Sequence, residues 1–198
     1  MMILRYSAAS PYARKIRIVA DLLDLGGQIT LEGANTADPA DSLRLQNPLG
    51  KIPTLILQDN VALYDSRVIA DYLDCLAGGD RLIPADPARR MTALRLQALG
   101  DGINDAALII RYETTTRRQE LRDPEAIALQ QGKIDRALAA LEVAPPTGAP
   151  EIGQIAVACA LGYLDLRFAG AWREAHPRLG AWLADFAARV PAFAASAS

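Results

Sequence analysis

The sequence predicts an α/β domain joined to an all-helical one. Three observations carry this. Short strand-like apolar runs alternate with helical periodicity only in the first part of the chain, the stretch Ile83-Pro84-Ala85-Asp86-Pro87 reads as a linker, and beyond it the apolar spacing is helical throughout. The expected division is residues 1–78 for the α/β domain, 79–87 for the linker and 88–198 for the helical domain.

Ile3 to Tyr6 is a short apolar first strand. Ser10 before Pro11 is a cap followed by a proline suited to the first helical position. Tyr12, Ile16, Val19 and Leu23 then recur at helical spacing, with Arg14, Lys15 and Arg17 assigned to the other faces and Gly26-Gly27 as the stop. Gln28 to Glu32 is a second strand. After a Gly/Asn/Asp/Pro-rich connection with a short helix near Asp41 to Leu45, Thr54 to Gln58, the turn Asp59-Asn60 and Val61 to Tyr64 form a hairpin. Asp65 or Ser66 caps a helix whose single apolar face is Val68, Ile69, Tyr72, Leu73 and Leu76.

In the second half, Asp86-Pro87 and Asp123-Pro124 are helix starts. Met91, Leu94, Leu99 and Ile103 mark a long helix, and Ile127, Ile134, Leu138 and Leu141 the next, stopped by Pro145-Pro146. Ile152 to Phe168 is apolar nearly all round, the composition of a helix buried on every side. Leu179, Trp182, Leu183, Phe186 and Val190 form the inner face of a last helix.

Composition narrows the function. With 21 basic against 23 acidic residues, no cationic excess drives binding to nucleic acid or an anionic membrane. No apolar run approaches the ~20 residues of a membrane span, and the N-terminus lacks a leader pattern, so a cytoplasmic protein is expected. Cys75 and Cys159 are far apart with no CxxC, and read as reduced, buried thiols. The single histidine, His176, precedes Pro177 and reads as a surface turn residue; no metal site is expected.

Three polar interruptions fall at element ends in the α/β part. A helix N-terminus offers unpaired amides and a positive dipole end, so Ser10 either caps its own helix or donates its hydroxyl to a thiolate there. Ile52-Pro53, after Asn47-Pro48-Leu49-Gly50, is either a cis peptide at a strand entry or an ordinary trans proline. A cis bond frees the Ile52 backbone to pair strand-fashion with a bound peptide. Asp65-Ser66 either caps a helix or holds an amino-acid head group, Ser66 taking its carboxylate and Asp65 its ammonium.

Taken together, Tyr6-Ser7-Ala8-Ala9-Ser10-Pro11-Tyr12-Ala13-Arg14-Lys15, then Asn47 to Leu55, then Tyr64 to Leu73, resemble the N-terminal half of cytosolic glutathione S-transferases. The linker Arg81 to Pro87 and the helical remainder are similar to that family as well, closest to its bacterial members. The resemblance implies a thioredoxin-like domain followed by an all-helical one, a homodimer, and glutathione as cosubstrate with a small electrophile. Ile52 and a cis Pro53 would pair with the cysteinyl backbone, Asp65 and Ser66 hold the γ-glutamyl head, and Lys51 reach the glycyl carboxylate or stay solvated. The electrophile would lie between Ser10 and the helical domain, near Arg111 and Tyr112. Ser10 is the first candidate to activate the thiol, Ser7 the second and Tyr6 the third. Asp101 and Asp105 are either contacts to the partner subunit's glutathione or solvated and capping residues.

The sequence also departs from the family's pattern. Ser10-Pro11-Tyr12-Ala13 resembles the Cys-Pro-Tyr-Cys of glutaredoxins with both sulfurs replaced, which excludes dithiol exchange. Asp65 stands where many relatives carry Glu or Gln. Glu151 is a poor N-cap for the buried helix, with Gln154 placed to reach back to a backbone amide. The competing readings are a non-catalytic binding or regulatory protein of this fold, and a glutathione-dependent isomerase, peroxidase or dehalogenase.

Overall fold

The computed structural model describes residues 1–196, so the last two residues of the expected helical domain lie outside the described residues. Strand β1 (Met2–Tyr6), helix α1 (Pro11–Leu22), β2 (Ile29–Gly33), a short α2 (Leu43–Gln46), β3 (Thr54–Ile56), β4 (Ala62–Leu63) and α3 (Ser66–Leu76) form the first part. Helices α4 (Pro87–Thr115), α5 (Pro124–Val143), α6 (Ile152–Phe168), α7 (Pro177–Arg189) and α8 (Pro191–Ala195) form the second. This is the expected thioredoxin-like βαβαββα order followed by an all-helical domain. The sheet runs β2-β1-β3-β4, with β1 parallel to β2 and the other pairs antiparallel.

Local chemistry explains most helix starts. Ser10, Asp65, Asp86 and Asp123 each accept a backbone N–H of the first turn, and proline follows three of them directly. Glu151 makes no such bond; its carboxylate accepts from Arg89 at 2.6 Å instead. Gln154 does not reach back to an amide either, but donates to the Thr147 carbonyl at 2.9 Å. The start of α6 is held by a backbone bond from Ile152 N to Leu82 O, which ties the buried helix to the linker.

Several sequence expectations are corrected by packing. Helix α1 stops at Leu22, before the two glycines, where Asp24 takes a positive φ of 60°. The strand after it begins at Ile29, because Gly26–Gln28 forms a 3-10 turn. Lys15 is not on an outer face: it is 1% exposed, because α1 packs against α3 on one side and α6 on another. Arg5, within the apolar first strand, is 2% exposed and donates to Ser42, Gln46 and Asp41, which pins the 33–46 connection. Backbone N–H bonds from Leu43 and Asn35 hold the Asp41 carboxyl below the usual carboxylate range, and Arg5 adds to this.

The apolar face of α3 is split. Ile69 and Leu73 are fully buried, but Val68 and Leu76 are about half exposed, and Cys75 beside them is exposed rather than buried. Cys159 is buried as expected. Met91 is likewise exposed, since the inner face of α4 is built on Ala93, Gly100, Ile103, Ala107 and Ile110. Small residues win there because α6 comes close: a Cβ on Gly100 would sit 2.7 Å from the Ala156 carbonyl carbon. The last inner face, Leu179 to Val190, is as expected, but the chain then turns at Pro191 into α8, which seats Phe193 against Phe186. His176 sits at the start of α7, half-buried, with Nδ1 2.8 Å from the Trp172 carbonyl.

Candidate functional site

Strand register brings the three polar interruptions to one end of the sheet. Arg5 of β1 pairs with Thr54 of β3, and Leu55 pairs with Leu63 of β4. The segment after Tyr6, the segment before Thr54 and the segment after Leu63 therefore leave the sheet together. These carry Ser7 and Ser10, Ile52 and Pro53, and Asp65 and Ser66.

Ser10 is the N-cap of α1, and its oxygen accepts the Ala13 N–H at 3.2 Å. Its hydroxyl proton has no acceptor among the described residues. Capping and donation are thus compatible, because one oxygen accepts from its own helix while its proton remains to be given. Ser7 lies before the helix, and its carbonyl accepts from Ser10 N at 3.0 Å. Tyr6 ends β1 with its ring 5.6 Å from the Arg17 guanidinium.

The Ile52-Pro53 bond is cis. The β1–β3 register ends at Arg5–Thr54, which leaves the Ile52 backbone outside the ladder. A residue that sequence reading passed over as part of a turn sets this loop. Asn47, 1% exposed, donates from Nδ2 to the Lys51 carbonyl at 3.0 Å and to Thr54 Oγ1 at 3.1 Å, and accepts from Leu49 N at 3.0 Å. Thr54 in turn donates to the Lys51 carbonyl at 2.9 Å. An Asn three residues before a Gly was the signal available in the sequence, and that Gly50 takes a φ of 59°. Lys51 itself is exposed.

Asp65 is joined to Tyr64 by a cis bond and caps α3, accepting from Arg67 N at 2.9 Å. Ser66 opens the helix at 2% exposure, its hydroxyl without a protein partner among the described residues. Arg67 then reaches α4, donating to Asp101 at 3.2 Å. Asp101 is 1% exposed and takes both short bonds from Lys15 Nζ, at 2.7 and 2.8 Å. One turn on, Asp105 accepts from the Tyr12 hydroxyl. Neither aspartate is a helix cap; together they fasten α1 (through both) and the start of α3 (through Asp101) to one side of α4. Burial, then the Asp105 bond, raises the Tyr12 pKa, so this phenol stays protonated and committed.

A cavity of about 480 Å³ adjoins Ser10, bordered by Arg14 of α1, Tyr163 and Leu166 of α6, Leu183 of α7 and Phe193 of α8. Arg111 and Tyr112, expected near the second substrate, do not border it; both lie close enough to act on the Tyr163 phenol, whose pKa burial raises. Among the described residues no group of three His, Cys, Asp or Glu side chains is placed to hold a metal, and no helix is long and apolar enough to cross a membrane.

This geometry has close counterparts among known proteins. Residues 4–81 match the glutathione S-transferase N-terminal domain and residues 124–185 the glutathione S-transferase C-terminal domain. The chain is 35% identical over 182 residues to the GST-like protein YibF of Escherichia coli K12, with 87% of each chain covered. It is 40% identical to a glutathione transferase family member from Pseudomonas fluorescens Pf-5 solved with bound glutathione, at a TM-score of 0.93 and covering 99% of this chain and 98% of that one. The same relative has been solved with bound S-(propanoic acid)-glutathione, at a TM-score of 0.89 with the same identity and coverage. Fold, site geometry and likeness over nearly the whole length agree, and the chain belongs to the glutathione S-transferase family.

Proposed function

We propose that this chain is a glutathione transferase that binds glutathione on its 1–78 domain, holds it as a thiolate and directs it at a small electrophile beside the 88–198 domain. The observation that carries the reading is the Ser10 hydroxyl. It caps α1 with its oxygen and keeps its proton uncommitted, at a helix N-terminus that opens onto a cavity. A thiolate placed there gains a charge-assisted hydrogen bond and the positive end of α1. Ile52 beside the cis Pro53 is outside the sheet ladder and suits pairing with the cysteinyl backbone. Asp65 and Ser66 suit the γ-glutamyl head, and Lys51 the glycyl carboxylate.

The Pseudomonas relative supports this twice: it was solved with glutathione and with a glutathione thioether, the product type that sulfur attack on carbon yields. Two free cysteines suit a reducing cytoplasm. Val61, Val68, Leu76 and Met91, each about half exposed or more, are apolar side chains that a homodimer would have available to bury.

The test replaces one hydroxyl at a time. Ser10→Ala removes a hydrogen bond to a charged group, about 1.5–3 kcal/mol. It should lower kcat/KM with 1-chloro-2,4-dinitrobenzene roughly tenfold to a hundredfold and raise the pH at which bound glutathione ionises by about one to two units. The thiolate absorbance of the complex reports that ionisation. Unchanged ionisation in Ser10→Ala with a shift in Ser7→Ala moves the role to Ser7. Absence of glutathione binding in the unmodified protein leaves a scaffold of this fold without the activity.

A further inference from the structure

The cavity beside Ser10 is bordered by a cation, Arg14, that has no ion-pair partner among the described residues. Arg14 follows Ser10 by one turn on the same face of α1, and both border the cavity. Its guanidinium lies 4.0 Å over the Phe193 ring, donating from Nη2 to the Phe193 carbonyl at 2.6 Å and from Nε to Ser196 Oγ at 3.2 Å. Those acceptors are neutral. The carboxylate on the cavity wall, Asp165, is taken: Arg173 holds both its oxygens at 2.9 and 2.6 Å, and Trp172 Nε1 donates to it at 2.9 Å. Arg14 forms no ion pair among the described residues. Burial lowers its pKa, against weaker opposing pulls from Cys159 and Asp165.

A half-buried guanidinium whose hydrogen-bond acceptors among the described residues are all neutral raises the free energy of the empty protein, and an incoming carboxylate relieves it. Arginine suits that task, since its N–H groups lie in one plane and two of them fit a carboxylate. Apart from Ser10, the Tyr163 phenol and the paired Asp165 and Arg173, the wall is largely apolar, with Pro11, Leu166, Leu183, Ala187 and Phe193, and the volume suits a small organic molecule.

We propose that this cavity is the second-substrate pocket and selects amphipathic carboxylic acids, with the acid on Arg14, the apolar body against Leu166, Leu183 and Phe193, and the electrophilic carbon at the mouth beside Ser10. The assignment rests on the reading of Ser10 as the thiolate site. With 4-chloro-3-nitrobenzoate, glutathione's thiol proton passes to solvent and its sulfur lone pair forms the carbon–sulfur bond. The carbon–chlorine bond breaks and chloride leaves with the bonding pair.

The test compares acid with neutral analogue. For 4-chloro-3-nitrobenzoate against its methyl ester, each rate divided by its uncatalysed rate, kcat/KM should favour the acid about tenfold or more. Arg14→Gln should abolish that ratio through KM, and Arg14→Lys should keep part of it. A second measurement needs neither turnover nor glutathione: calorimetry of 3-phenylpropanoate against 3-phenylpropanamide, where the acid should bind at least tenfold tighter. Ala184→Trp, at an exposed position on the rim, should abolish phenylpropanoate binding without unfolding the protein. Equal binding of acid and amide to the unmodified protein overturns the proposal, and so does an Arg14→Gln effect that is the same for acid and ester. Glutathione titration is read separately: its failure with phenylpropanoate binding intact removes the transferase reading and leaves the acid pocket.

Discussion

The two sides of α1 handle charge in opposite ways. Toward α4, Lys15 is sealed at 1% exposure against Asp101, which is itself 1% exposed. Toward α6 and α8, one residue away, Arg14 is half-buried over an aromatic ring with neutral acceptors and borders a cavity. The first side is a closed seam, in which a buried pair with good geometry fixes how the two domains meet. The second is an open side, where a cation with neutral hydrogen-bond partners among the described residues borders the cavity proposed to take a ligand. Adjacent positions on one helix thus separate architecture from recognition.

The sharpest way to break this contrast is Lys15→Met. It leaves Asp101 buried with only the half-exposed Arg67, and should cost about 3–5 kcal/mol in urea unfolding. The double variant Lys15→Met/Asp101→Leu should recover most of that loss, because an apolar pair replaces a stranded charge. A double variant no more stable than the single one would mean that the seam depends on something other than its charges.

Next come the two glycines of α6's neighbourhood. Gly100→Ala pushes a Cβ to 2.7 Å from the Ala156 backbone, which cannot yield, and should cost about 1–3 kcal/mol. Gly162→Ala meets Arg14 Nη1 at 2.5 Å, the far end of a side chain that can shift at the expense of its bonds to Phe193 and Ser196, and should cost less than Gly100→Ala while displacing the guanidinium. Thermal unfolding of both variants ranks them; equal losses would make the open side as rigid as the closed one.

Cys159, on the open side, gives a pH signature. Burial pushes its thiol up to about 12, against the pull of Arg14 and Lys15. The folded state therefore keeps a proton that the unfolded chain releases above about 8.5. This contribution is fully present below that pH and is lost as pH rises, by about 1.4 kcal/mol per unit until the folded value is reached. Stability measured from pH 8 to 10 should fall more steeply in the unmodified protein than in Cys159→Ala. In the same samples, thiol reagents should modify the exposed Cys75 and leave Cys159 intact. The smallest effect is Arg67→Ala, within about 1 kcal/mol in urea unfolding, since its side chain is 54% exposed.

What the sequence made legible was local. Ser10, Asp65, Asp86 and Asp123 announce helices because a cap and the turn it satisfies are neighbours in the chain. The bounds of α6 follow from its uninterrupted apolar run. Among site residues, Ser10, Ile52-Pro53 and Asp65-Ser66 do converge, because the strand register delivers their segments to one end. The long-range partners stayed hidden. Lys15 looked like a surface lysine because Asp101 is 86 positions away. The burial of Arg5 within the first strand had no local signal, because Asp41, Ser42 and Gln46 reach it from a distant segment. Helical periodicity could not tell which apolar residues of α3 face the sheet and which, like Val68 and Leu76, face outward.

The fastening of Tyr12 to Asp105 and of Arg67 to Asp101 has an evolutionary consequence. Both jaws that would grip the peptide are clamped to consecutive coils of a single rod, so their spacing survives drift elsewhere. The far wall, contributed by α7 and α8, shares none of those clamps. Under the proposed function, changes to that wall would alter which second substrates the cavity accepts without retuning the grip on the peptide.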